Sequence, residues 1–255
     1  MTVKQFYAHI ADRVSPSLSC DWDNDGLMLS PDEGREVRRV LCTLDVTEEA
    51  IDYAEENGFD LIISHHPLIF RPLSSLTPEH HISRKAIRLL AAGISVISLH
   101  TRADAVMDGV NDRLASLLGL EGVGLLDGAG EMIARIGTLP EPLSLSEFAL
   151  QVKEALGSPF VLTADTGLPV RRVALCGGDG KDFVKAALDA GADTYVSGRI
   201  GYNVMTEAPE MGLNMIEAGH YFTETHITAF FADLVNDILP SAYAEEFASN
   251  IISAL

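Results

Sequence analysis

Positive charge is scarce in this chain. Its 255 residues hold 18 Lys and Arg against 37 Asp and Glu, a net charge of −19. That balance argues against a nucleic-acid partner, whose phosphate backbone calls for a basic face. The acidic surplus suits solubility, or the gathering of divalent cations. Cysteine is scarce too. Cys20, Cys42 and Cys176 are scattered and odd in number, so neither a disulfide framework nor a zinc ribbon is implied. Cys42 and Cys176 lie in apolar, strand-like runs and read as small buried hydrophobes. No apolar run reaches the length that crosses a membrane. The opening MTVKQFYAHIADRV lacks the basic-then-apolar layout of a signal peptide, so a cytoplasmic protein without membrane contact is expected. There is no low-complexity stretch, and a 47% hydrophobic content leaves no case for disorder.

What is present centres on Phe59 to Pro67, FDLIISHHP. The apolar run predicts a short buried strand, Leu61 to Ser64, ending at two adjacent histidines. Neighbouring side chains on a strand point to opposite faces. His65 and His66 can therefore share a site only past the strand end, where the backbone turns and Pro67 helps fix the turn.

The remaining pattern alternates strand and helix. A helix is expected over residues 2–14, with Thr2 as N-cap and Phe6, Ile10 and Val14 on one face. The following segment, 15–30, reads as a loop whose CDWDNDGLML is an Asx-rich turn with Trp22 anchored in the core. Its acids lack the length and late glutamate of an EF-hand. Residues 37–45 form a strand ending in Asp45, 47–57 a helix closed by Gly58, 82–92 a helix closed by Gly93, and 94–99 a strand ending at His100. A helix over 110–118 follows, then a Gly-rich junction over 121–130. Beyond it come strands at 132–139, 170–176, 193–196 and 213–218. Helices fall at 144–156, opened by a Ser144/Glu147 capping box, and at 181–190 and 227–238. The GGDG of 177–180 reads as a plain strand-to-helix turn: it has neither GK[ST] nor a full GxGxxG. The tail from Ser241 supports either helix or strand.

This alternation predicts an α/β fold of two lobes with mostly parallel sheets. The first lobe spans 1–126 and the second 127–255, with 213–255 returning to the shared cleft. In a parallel sheet the strand carboxyl ends share one edge, which brings together Asp45, His65, His66, His100 and Asp104. Near the end, His220 and Glu224 are four apart and share a helix face if a helix begins there. Imidazole with carboxylate is a ligand set for Zn, Fe, Mn, Co or Ni. His65, His66, Asp104, His220 and Glu224 supply the mixture that two close metals need. The lack of cysteine in the set disfavours a purely structural zinc. For one such histidine, capping a strand and bonding backbone is the simpler account; for the set, metal binding is. His80, His81 and His226 read as ordinary histidines, with His226 placed to support Glu224.

WDNDGL (22–27), LDVTEEAI (44–51), SHHPLIF (64–70), HTRAD (100–104) and GHYFTE (219–224) together resemble the family of GTP cyclohydrolase I type 2 homologues. These are also called NGG-interacting-factor-three-like proteins. The resemblance covers nearly the whole chain and corresponds to the short form of the family. It implies a dinuclear site held by His65, His66, Asp104, His220 and Glu224 in a cleft between two α/β lobes, and assembly into toroidal hexamers. One segment departs from the pattern: where the family carries a TGD-x-x-x-H-like run, this chain reads SGRIGYN, with Arg199 and Asn203 in place of Asp and His. Arg199 would suit an anionic substrate.

The expected function is therefore hydrolysis of a small nucleotide- or pterin-like substrate. Two divalent metal ions per chain of open identity would activate a bridging water, with His100 as an acid/base or supporting residue. One rival is a non-catalytic metal-binding ring that handles metal or serves protein partners. Another is a mononuclear phosphoesterase.

Overall fold

In the computed structural model, which describes residues 1–128, 130–250 and 252, the chain follows the alternation closely. In order it forms α1 (Val3–Arg13), β1 (Gly26–Leu29), β2 (Arg39–Thr43), α2 (Glu48–Glu56), β3 (Leu61–Ser64), α3 (His81–Ala92) and β4 (Ser95–Ser98). Next come α4 (Thr101–Ala105), α5 (Val110–Leu117), β5 (Glu121–Leu125), β6 (Arg135–Leu143), α6 (Leu145–Leu156), β7 (Leu162–Ala164) and β8 (Val170–Asp179). The last third holds α7 (Val184–Asp189), β9 (Thr194–Arg199), α8 (Tyr202–Glu207), β10 (Asn214–Glu217), α9 (His220–Glu224), α10 (Ile227–Ile238) and β11 (Tyr243–Phe247).

Two compact units result. One comprises Met1–Ala103 with Ile227–Ile251, the other Asp104–His226 with Ile252–Leu255. The division expected at 126/127 thus falls inside the second unit. The chain returns to the first unit from Ile227 because β11 pairs with β2 and α10 packs on that same pair.

The first unit is built on a five-stranded sheet of order β1–β4–β3–β2–β11. Its strands pair in parallel except β1, which lies antiparallel on β4. All four residues of the central β3 are buried, the signature of a strand covered on both faces. Leu41, Ile62 and Val96 of the sheet pack with Ala50, Ile51 and Ala54 of α2 and Ala86 and Leu89 of α3. Each large apolar side chain so buried contributes about 1.5–3 kcal/mol. Register matters more here than area. Ser64 of β3 pairs with Thr43 of β2 on one side and Ser98 of β4 on the other. All three strands therefore end in one row, and the residues after them emerge at one edge. Local signals start the unit well: Thr2 and Gln5 form a reciprocal capping box on α1, whose Phe6 and Ile10 are buried.

The second unit holds a six-stranded sheet of order β5–β6–β8–β9–β10–β7. Only β8–β9 and β9–β10 are parallel; β5–β6, β6–β8 and β10–β7 are antiparallel. The expectation of mostly parallel sheets therefore holds in the first unit and fails in the second. There, β5 and β6 are consecutive antiparallel neighbours, and α6 carries the chain from β6 across to β7 at the far edge, where β7 lies antiparallel on β10. Phe148, Ala149 and Val152 of α6 and Leu114 and Ala115 of α5 pack on Val173, Leu175, Val196 and Ile216 of the sheet.

Several sequence expectations need correction. The 15–30 loop contains β1, and Trp22 is not in the core but 55% exposed. The Gly-rich junction is the edge strand β5, every residue of which is exposed, so no alternation marks it. The GGDG segment is not a turn: β8 runs on through Asp179, which pairs with Arg199 across an irregular step. In the tail, Tyr243–Phe247 form a strand, while residues 251 and 253–255 lie outside the described residues; β7 and α8 carried no signal.

Candidate metal centre

Three imidazoles gather at the carboxyl edge of the first unit's sheet. The ladder continues just past β3, as the His65 and His66 amides donate to the Thr43 and Leu44 carbonyls at 3.2 and 2.9 Å. The Ser64 and Ser98 hydroxyls, 2.9 Å apart, tie β3 to β4. Ring centroids lie 5.0 Å apart for His65–His66, 5.3 Å for His65–His100 and 5.8 Å for His66–His100. One ligand nitrogen from each of the three falls within 4.8 Å of the others.

Every ring is held by its Nδ1. His65 Nδ1 lies 3.0 Å from the Leu99 carbonyl, which can only accept, so the proton sits on Nδ1 and Nε2 carries the lone pair. His66 Nδ1 meets Asp45 Oδ1 at 2.8 Å, and His100 Nδ1 meets Asp23 Oδ1 at 2.8 Å. This is how metal-binding histidines are oriented: an acceptor behind each ring fixes the tautomer and raises the basicity of the other nitrogen. Asp23 is fully enclosed and also accepts from the Thr101 amide (3.0 Å) and hydroxyl (2.6 Å). Burial opposes its ionisation, but the bonds from His100 and Thr101 and the His100 charge outweigh that and hold it below the usual carboxylate range. Asp25 takes Arg102 in a fork, Nε at 2.8 Å and Nη2 at 2.6 Å. The acids of the WDND loop are therefore neither a calcium loop nor a simple turn; they clamp the strand end that carries His100.

The second unit presents Asp104, His220 and Glu224. Asp104 is buried in α4, the helix in which the chain passes from one unit to the other. His220 and Glu224 lie at the two ends of the five-residue α9, with Nε2 and Oε2 2.9 Å apart. A carboxylate oxygen of Asp104 lies within 4.8 Å of one of Glu224. Both charges reinforce burial in pushing the Cys176 thiol well above its ordinary range. Glycines on β8 and β9 make room for α9. Gly178 has φ +63°, and a Cβ there would sit 2.2 Å from Glu224 Oε1. At Gly198 a Cβ would meet Thr223 Oγ1 at 2.5 Å and the His220 Cα at 2.8 Å. The Gly178 amide donates to Thr223 Oγ1 at 3.1 Å, and the Gly177 amide to Asn111 Oδ1 at 2.7 Å.

The structure thus brings His65, His66 and His100 together in one unit, and Asp104 and Glu224, with His220 against Glu224, in the other. Neutral imidazole and carboxylate are the ligand types of a borderline divalent ion, so the residues fit such a metal. His226 has its Nε2 2.8 Å from the Val110 carbonyl, and burial lowers its basicity. His80 and His81 are exposed at the start of α3, and Arg199 and Asn203 are exposed at the end of β9 and in α8. Sequence reasoning placed Asp23 in an Asx-rich turn rather than behind His100, and missed the glycine cradle. It saw Asp45 as a candidate ligand rather than a partner of His66.

Fold and site together define an α/β protein with clustered His/Asp/Glu groups able to hold metal. The family model Duf34/NIF3 (NGG1p interacting factor 3) matches residues 1–253, and the chain belongs to that family. It is 32% identical over 239 residues to a Clostridium perfringens protein named "GTP cyclohydrolase 1 type 2 homolog", covering 91% of each chain. It is 35% identical over 232 residues to the Lactococcus lactis protein of the same name, covering 89% of each. The crystal structure of the Bacillus cereus protein related to NIF3 shares the fold at TM-score 0.91 and 21% identity, covering 100% of this chain and 99% of that one.

Proposed function

We propose that this protein is a dinuclear metal-dependent hydrolase of a small nucleotide- or pterin-like substrate. His65, His66, Asp104, His220 and Glu224 serve as ligands, and His100 acts as the acid/base. The observation that carries the reading is the set of three strand-end imidazoles, each held at Nδ1 by an acceptor and so offering Nε2. Two divalent ions, when bound, supply Lewis acidity and a nucleophilic water near neutral pH. The chain's own residues do the rest. Asp45 and the Leu99 carbonyl hold His66 and His65 at Nδ1, so that Nε2 is the nitrogen each ring offers to metal. Asp23, held ionised behind Nδ1, fixes the tautomer of His100 and leaves Nε2 as the nitrogen that gives and takes protons. The names of the relatives support the substrate class. A ring-shaped homohexamer in the cytoplasm completes the reading.

Elemental analysis of the purified protein tests it, beside a His65→Ala/His220→Ala variant and a screen of nucleotide, phosphoester and cyclic-amide substrates. Near two metals per chain, lost in the variant, with turnover, is the expected result. Two metals without turnover on any substrate would favour the metal-handling scaffold. No metal, even after Zn, Mn, Fe, Co or Ni is added, would overturn the reading.

A further inference from the structure

Two large aromatic side chains stand at the rim of the histidine cluster, on the surface of the first unit. Trp22, the only tryptophan in the chain, is 55% exposed, and Phe70 is 41% exposed. Their centroids lie 6.3 Å apart with the planes at 73°. Both also face His100: Trp22 at 6.1 Å and 77°, Phe70 at 6.0 Å and 88°. The three rings thus form a corner whose walls are mutually close to perpendicular. The corner is fastened from both sides. Asp23, next to Trp22, holds His100, and the Asn24 side-chain amide donates to the carbonyl of Ile69, next to Phe70. From Phe70 a surface cavity of about 390 Å³ runs on past Arg71, Leu73, His80 and Ile82.

Folding alone does not favour an indole in water when the neighbouring acids already hold the loop in place. Rigid aromatic faces beside a reactive imidazole are suited to a flat π-system, which gains from stacking on one face and from edge contact with another.

We propose that Trp22 and Phe70 form a specificity-determining subsite for a planar heteroaromatic ring. The ring lies on the indole face, with Phe70 against its edge and its reacting side toward His100. The cavity beyond Phe70, with the Arg71 charge on its wall, takes the ring's polar substituents. This rests on the reading of His100 as part of the reaction centre, and it assigns the recognition of the substrate's ring to Trp22 and Phe70.

Because Trp22 is the sole tryptophan, its fluorescence reports the subsite without any need for turnover. The purified protein is titrated with GMP, with pterin and, as a ringless control, with ribose 5-phosphate. Saturable quenching by either ring compound and none by the control is expected. A Phe70→Ala variant, checked for fold by circular dichroism, should bind the ring about tenfold more weakly, the scale of one lost base–aromatic contact. Anisotropy of pterin's own emission should show Trp22→Phe binding more tightly than Trp22→Leu. No saturable quenching by either ring, equal quenching by ribose 5-phosphate, or unchanged affinity in Phe70→Ala would overturn the subsite. Ring binding without hydrolysis would leave the subsite standing and count against the hydrolase. Hydrolysis of a ringless substrate without quenching would do the reverse.

Discussion

Asp45 Oδ1 lies 2.8 Å from Nδ1 of His66, across the parallel register that joins the ends of β2 and β3. The carboxylate fixes the ring's tautomer and makes its Nε2 a better donor to metal. Asp45→Asn keeps the shape and removes the charge. Metal affinity should fall roughly 10–100-fold, the usual cost of losing such a supporting carboxylate. Titration with Zn or Mn against a competing chelator measures it, with unchanged circular dichroism as the control. Unaltered affinity would mean that Asp45 holds His66 for packing alone.

Gly178 should tolerate nothing larger. An alanine Cβ would collide with Glu224 and force a non-glycine residue to φ +63°. Gly178→Ala should lower stability by about 1–3 kcal/mol, as overpacking does, and should also displace Glu224. Metal content per chain should then fall even in the folded fraction. Gly124→Ala, at an open position in β5, is the comparison that should leave metal content intact.

Arg102 and Asp25 are an enclosed pair, with side chains 2% and 4% exposed. Their forked contact fixes the start of α4 and therefore the position of His100. Arg102→Met leaves the Asp25 charge buried without its counter-ion and should cost about 3–5 kcal/mol. The double variant Arg102→Met/Asp25→Leu should recover much of that loss. Urea unfolding followed at Trp22 measures both. A single variant as stable as the parent would refute the argument.

Glu147 caps α6 together with Ser144. The Ser144 hydroxyl and amide hold its carboxyl below the ordinary glutamate range. A group whose folded pKa is depressed stabilises the fold above its unfolded pKa, and that contribution is lost as pH falls through the folded pKa. Glu147→Gln should therefore lower the melting temperature at neutral pH, and the difference from the parent should close on acidification. A difference that stays constant from neutral to acid pH would show that the charge is not what matters.

Metal removal should separate site from scaffold. Both units have their own apolar cores, so dialysis against a chelator should leave secondary structure intact by circular dichroism while lowering the melting temperature. Adding divalent metal back should restore it, because a ligand that binds only the folded state stabilises that state.

The elements that were legible in the sequence share one property: their signal is local. β3 occupies the same four residues in the structure as in the pattern, because a fully buried strand writes its burial as an unbroken apolar run. The caps of α1 and α6 sit where Thr2 and Ser144 place them, since a cap depends on residues three apart. The strand-end histidines were visible for the same reason. β5 left no trace because all of its residues are exposed, and β1 and β7 are short edges whose formation depends on a partner strand rather than on their own composition.

By itself, then, the sequence determined most of the strand–helix order, the buried strands and the residue types at their ends. These follow from hydrophobic periodicity and turn chemistry within a few residues. Only the tertiary structure decided what stands behind each imidazole. The Asp23–His100 contact spans 77 residues and Asp45–His66 spans 21, and such pairings arise from sheet register, which no local pattern encodes. It also decided why Gly178 and Gly198 are glycines and why Trp22 faces solvent beside His100. Both depend on how closely one element approaches another, a distance that exists only once the chain has packed.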